Sequence, residues 1–85
     1  MGRLGGFSGR EAMKVAEALG WEHDRTNGDH YIYKKDGVTK NASIPDHRSI
    51  KEGTLRDIVR TLGVTPDEFI RRARDKPPRR NRLAA

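Results

Sequence analysis

Apolar residues fall in helical register at both ends of this 85-residue chain and in alternating register between them. Ala12, Val15, Ala16 and Leu19 recur at i, i+3, i+4 and i+7, one face of a helix that Met13 widens. Ser8-Gly9-Arg10-Glu11 reads as a capping box, with the Ser8 hydroxyl accepting from the third amide and Glu11 reaching back to the Ser8 amide. Gly20 stands where a left-handed C-terminal cap belongs, so the pattern predicts a helix over 9–19. Residues 21–25 form a candidate strand weakened by Glu22 and Asp24. Thr26-Asn27-Gly28-Asp29 is turn chemistry, because Asn-Gly tolerates positive φ at low cost. Tyr31, Ile32 and Tyr33 are good strand formers and predict a strand over 30–35. Asp36-Gly37 is a second hairpin turn, and a third strand runs over 38–44 until Pro45 ends it.

Beyond that the helical period returns. Gly53-Thr54 opens a second helix, with Thr54 as N-cap, Asp57 in place of the box glutamate, Leu55, Ile58, Val59 and Leu62 as the apolar face, and Gly63 as the stop. Thr65-Pro66-Asp67-Glu68 starts a short third helix with proline at its first position and acids in its first turn; Phe69, Ile70 and Ala73 are its apolar residues. Pro77-Pro78 lies beyond its end. The fold class expected is α+β: a three-stranded antiparallel sheet with helices on one face, in the order α-β-β-β-α plus a short C-terminal helix. The glycines at positions 2, 5 and 6 suggest a flexible segment over 1–7, leaving one domain over 8–74.

Charge changes this picture at one end. The net charge is +6, from 18 basic and 12 acidic residues, yet residues 1–70 are neutral overall. The whole excess lies in 71–85, so residues 75–85 read as a basic disordered tail that favours polyanions. There is no cysteine, which excludes disulfides, thiolate metal sites and a cysteine nucleophile and fits a reducing, cytoplasmic location. No apolar run approaches the ~18 residues of a membrane span, so no membrane partner is expected.

Three histidines are the candidate chemistry. His30 follows the Asn-Gly turn at a strand start, which would hold it on a scaffold, and an imidazole titrates near neutrality. The residue pattern alone favours an ordinary exposed strand histidine, with acid–base work as the alternative. His47 follows Pro45 at a strand end and suits an acid partner, a phosphate contact or a partner-protein contact; His23 has no motif around it and reads as structural. These histidines with Asp24, Asp29 and Asp46 lack the short paired spacing of metal motifs, so neither metal nor cofactor is expected. Arg25, Lys34, Lys35, Lys40, Arg48, Lys51 and Arg56 can neutralise phosphates without reading sequence. Tyr31 and Tyr33 share a strand face and serve either the core or base stacking, with the core favoured.

In order and spacing the chain resembles the HicA-type (YcfA-like) toxins. Ser8-Gly9-Arg10-Glu11 with Leu19-Gly20-Trp21 looks like that family's opening helix and its glycine–aromatic exit. Arg25 to His30 looks like its Arg-x-x-Gly-Ser-His segment, with Asp29 where serine is usual. Ile44-Pro45-Asp46-His47 resembles its Val-Pro-x-His segment, and Gly53 to Ile58 with Leu62 to Thr65 its Gly-Thr-Leu-Arg helix. The resemblance implies a fold similar to the double-stranded-RNA-binding domain. It also implies the toxin of a type II toxin–antitoxin pair: a metal-independent endoribonuclease that cuts mRNA and is neutralised by a HicB-type antitoxin. His30 would then be catalytic, with possible assistance from His47, and Arg25, Lys34, Lys35, Arg48, Lys51 and Arg56 would bind RNA. The competing reading is an RNA-binding module that cuts nothing. A weaker one takes residues 55–72 as a helix-turn-helix that binds DNA.

Overall fold

The computed structural model describes residues 4–74. Six elements follow in the order α1 (Gly9–Ala18), β1 (Glu22–Asn27), β2 (His30–Lys35), β3 (Val38–Pro45), α2 (Glu52–Leu62) and α3 (Pro66–Arg74). The strands form one antiparallel sheet in the order β1-β2-β3, as expected of two consecutive hairpins. The expected basic tail over 75–85 lies outside the described residues.

Local signals set most of the boundaries. The Ser8 box is closed in both directions: Ser8 Oγ accepts from the Glu11 amide at 3.1 Å, and the Ser8 amide donates to Glu11 Oε1 at 2.8 Å. Gly20, Gly28, Gly37 and Gly63 all take positive φ, at the helix exits and hairpin turns where the sequence places them. The first turn is tighter than expected. Thr26 and Asn27 belong to β1, Asn27 pairs with His30, and the loop is Gly28-Asp29 alone. Thr65 caps α3 through its hydroxyl, which accepts from the Glu68 amide at 3.1 Å.

Two expectations need correction. The second helix starts at Glu52, with Lys51 at the N-cap and no side-chain cap bond, so Thr54 is not its cap. Glu52 supplies the first-turn negative charge instead and accepts from Arg56 Nη2 at 2.8 Å. Nor is the segment before Ser8 loose throughout: Leu4 and Phe7 are buried in the core. Gly6 turns the chain at φ +84°, Phe7 packs edge-on to Phe69 with centroids 5.4 Å apart, and the Phe7 carbonyl accepts from the Ile50 amide at 2.8 Å.

The core lies between one face of the sheet and the helices. Tyr33, Ala42 and Ile44 are buried on that face, with Tyr31 packed at its margin; β1 is exposed along its whole length. The two tyrosines therefore serve the core. The Tyr33 hydroxyl donates to Glu17 Oε2 at 2.8 Å in a part-buried bond. Burial and that carboxylate push Tyr33 well above the ordinary phenol range.

Gly9 sets how closely α1 approaches the sheet. Its amide donates to the His47 carbonyl at 2.8 Å, and a Cβ there would lie 2.0 Å from the Pro45 carbonyl oxygen. Only glycine lets the start of α1 sit against the end of β3.

Candidate active site

Three segments distant in sequence meet at one end of the sheet: the β1–β2 turn, the residues after β3, and the first turn of α1. Backbone bonds hold them. The Asp46 amide donates to the Asp29 carbonyl at 2.7 Å, Gly9 is bonded to His47, and Arg10 Nε donates to Asp46 Oδ1 at 3.1 Å.

On this scaffold Asp29 joins the two histidines. Its Oδ1 lies 3.0 Å from His30 Nδ1 in an ion-pair contact, and its Oδ2 is hydrogen-bonded to His47 Nε2 at 2.9 Å. Asp29 reaches both because it sits in the turn; within a regular strand it would point to the face opposite its neighbour. The His47 bond, reinforced by the charge of His30, holds the Asp29 carboxyl below its usual value, so it is ionised at neutral pH. A carboxylate only accepts, so His47 Nε2 carries the proton of that bond, and His30 Nδ1 faces the same carboxylate. His30 Nε2 is then the ring nitrogen left for a substrate. Both imidazoles are half-exposed, at 50% and 51%.

A groove of about 310 Å³ opens beside His30, between the outer edge of β3 and α2. Lys40, Asn41 and Ser43 line it from β3, and Thr54, Asp57 and Thr61 from α2. None of these was singled out for a site by sequence reasoning except Lys40, as a phosphate contact. The signal available in α2 was the polar spacing 54, 57, 61 on one helical face, of which cap chemistry accounted for Thr54 and Asp57.

The basic residues divide. Arg48 and Lys51 follow His47 in the chain, and both are exposed. Arg25 is exposed on β1, opposite Ile32, and donates to its neighbour Asp24 at 2.6 Å. Lys34 and Lys35 lie at the other end of β2 from His30, beside Gly20 and Glu22. Arg56 is bonded to Glu52. His23 stands apart from the other histidines, bonded to Thr26 at 2.9 Å and with its ring centroid 5.4 Å from that of Tyr31. Among the described residues, no group of three or more acidic, histidine or cysteine side chains is arranged to hold a metal ion.

Residues 9–64 match the family model described as the HicA toxin of bacterial toxin–antitoxin systems, a span from the first residue of α1 to just beyond α2. The chain belongs to the HicA toxin family. Comparison with curated proteins gives no match, and comparison with solved structures gives none. The HicA match contains Asp29, His30 and His47 and both walls of the groove; α3 and the arginines after it lie beyond.

Proposed function

We propose that this HicA toxin is a metal-independent endoribonuclease that cuts mRNA at His30. The observation that carries the reading is the single Asp29 carboxylate touching both His30 and His47 on a backbone-braced end of the sheet. RNA supplies its own nucleophile. A base removes the ribose 2′-hydroxyl proton, the oxygen attacks the adjacent phosphorus, and the bond to the 5′-oxygen breaks as an acid protonates it. The products are a 2′,3′-cyclic phosphate and a 5′-hydroxyl. His30 Nε2 takes or delivers one of these protons, a role worth about two to four orders of magnitude in rate. His47 assists as the second imidazole. Arg48 and Lys51 stabilise charge on the phosphate, while Arg25, Lys34, Lys35 and Arg56 hold flanking backbone.

A HicB-type antitoxin is the proposed protein partner and the cytoplasm the proposed location. Residues 8–74, with Leu4 and Phe7 packed into their core, form the catalytic domain, and the basic stretch over 75–85 adds sequence-independent affinity for RNA.

Cleavage of RNA by the purified chain in EDTA tests the reading. Wild type is expected to leave cyclic phosphate ends, and folded His30→Ala to lose at least a hundredfold in rate. Equal cutting by His30→Ala would overturn the assignment. RNA binding without cutting by wild type would leave a non-catalytic RNA-binding module.

A further inference from the structure

We infer that the groove between β3 and α2 is a base-recognition subsite that takes a guanine nucleotide flanking the scissile phosphate. The inference rests on the reading of His30 as the cleavage residue, because His30 lines the same groove. At about 310 Å³ the groove is at the lower end of the range for small-molecule sites, which suits a single nucleoside. RNA is read in sequence chiefly where bases are unstacked and their edges meet side chains.

The donor and acceptor set selects the base. Asp57 presents an exposed carboxylate; its nearest cation, Arg60, lies 3.9 Å away, so its oxygens remain available. An ionised carboxylate only accepts and is best met by two neighbouring donors. Guanine alone among the four RNA bases carries two adjacent donors on its pairing edge, N1–H and the N2 amino group. Adenine and cytosine set one amino group beside a ring acceptor, and uracil flanks one N–H with two carbonyls, so each would turn a lone pair toward the carboxylate. Lys40 supplies a donor for guanine O6, and Asn41 can both donate and accept. Ile58 and Pro45, both buried beneath the groove, form its apolar floor. The start of α2 at Glu52 leaves Thr54 and Asp57 out of any capping box and on the groove wall.

The test pairs mononucleotide titration with mapping of cleavage sites, both on the full chain. Guanosine monophosphate, as its 3′ and 5′ forms, is expected to move the NMR amide signals of Asn41, Ser43, Asp57 and Thr61 saturably. The adenosine, cytidine and uridine monophosphates should need about tenfold higher concentration, the scale of one two-bond base contact. Asp57→Asn, at an exposed position, is expected to fold normally and abolish the guanine preference, and Asn41→Ala to weaken it. In RNA, wild type should cut beside guanines, and Asp57→Asn should cut with that bias reduced about tenfold. Equal responses to the four nucleotides, or signals moving only elsewhere, would overturn the subsite. Cutting by wild type with no guanine bias would also overturn it while leaving His30 as the cleavage residue. Guanine-selective binding in the groove without any cutting would sustain the subsite and overturn the nuclease reading.

Discussion

His47 is hydrogen-bonded to Asp29 at 2.9 Å although 18 positions separate them in the chain. The bond fastens the segment after β3 to the β1–β2 turn, and the Asp46–Asp29 backbone bond beside it fixes where the carboxylate can stand. Asp29 therefore acts on the chemistry through the two imidazoles it touches. Asp29→Ala removes the charged acceptor from both. The expected outcome is RNA cleavage slowed about tenfold to a hundredfold, the scale of a misplaced catalytic group. Histidine NMR should show His47 losing its fixed tautomer. An unchanged rate with both tautomers intact would mean that the carboxylate is incidental.

The same bond predicts an acid limb in stability. Asp29 is held below its unfolded carboxyl value, so its contribution is whole above about pH 4, the ordinary aspartate value, and is lost as pH falls through the folded value. Thermal unfolding of wild type and Asp29→Asn should differ above about pH 4 and converge below it. A gap that persists in strong acid would assign the effect to something other than carboxylate charge.

Gly9 and Gly53 should respond oppositely to alanine. At Gly9 the added carbon meets the Pro45 carbonyl oxygen at 2.0 Å, and relief requires parting α1 from the segment that carries His47. Gly9→Ala is expected to destabilise by about 1–3 kcal/mol or more, the range for overpacking, and to impair cleavage with it. At Gly53, within α2, nothing lies within 4 Å, and alanine should stabilise by up to about 1 kcal/mol. Thermal or urea denaturation of the two variants reads both signs.

Tyr33→Phe keeps the ring in the core and deletes the bond to Glu17. The expected cost is about 1 kcal/mol. Because the folded Tyr33 value is raised, its contribution is whole below the ordinary phenol value of about 10 and is lost as pH rises through the folded value. The stability difference between wild type and Tyr33→Phe should be constant near neutrality and shrink above about pH 10. A difference that grows in alkali would contradict this.

Removing residues 77–85 deletes Arg79, Arg80 and Arg82 and leaves every element of the fold in place. RNA affinity should fall mainly at low salt, and its dependence on log salt should flatten by about 0.7 for each phosphate no longer neutralised. An unchanged slope would show that these arginines do not reach the RNA.

Much of this molecule was legible in the order of its residues. The Ser8 box, the Gly28 and Gly37 turns, the strand 30–35 and the Thr65 cap all depend on backbone sterics and on bonds spanning a few residues, which short motifs encode directly. The HicA resemblance was legible for the same reason, since it rests on those motifs in order. The start of α2 was misread because Gly53-Thr54 and Lys51-Glu52 offer competing local starts, and the chain takes the earlier one, closed by the Leu55 amide on the Lys51 carbonyl at 2.9 Å. Leu4 and Phe7 were misread because glycine-rich composition says nothing about distant partners: the Phe69 ring against Phe7, the Ile50 amide on the Phe7 carbonyl, and the core in which Leu4 is buried.

By itself the sequence determined the elements, the antiparallel meander, the placement of net charge and the identity of the imidazoles. Only the tertiary structure decided that Asp29 faces both His30 and His47, and that Thr54, Asp57 and Thr61 face β3 across a groove. The reason is range. A turn or a cap is settled by neighbours in the chain. A carboxylate's direction at a two-residue turn, and the gap between a sheet edge and a helix, are settled by contacts between distant segments. Chief among these is Gly9 against Pro45, where α1 meets the end of β3.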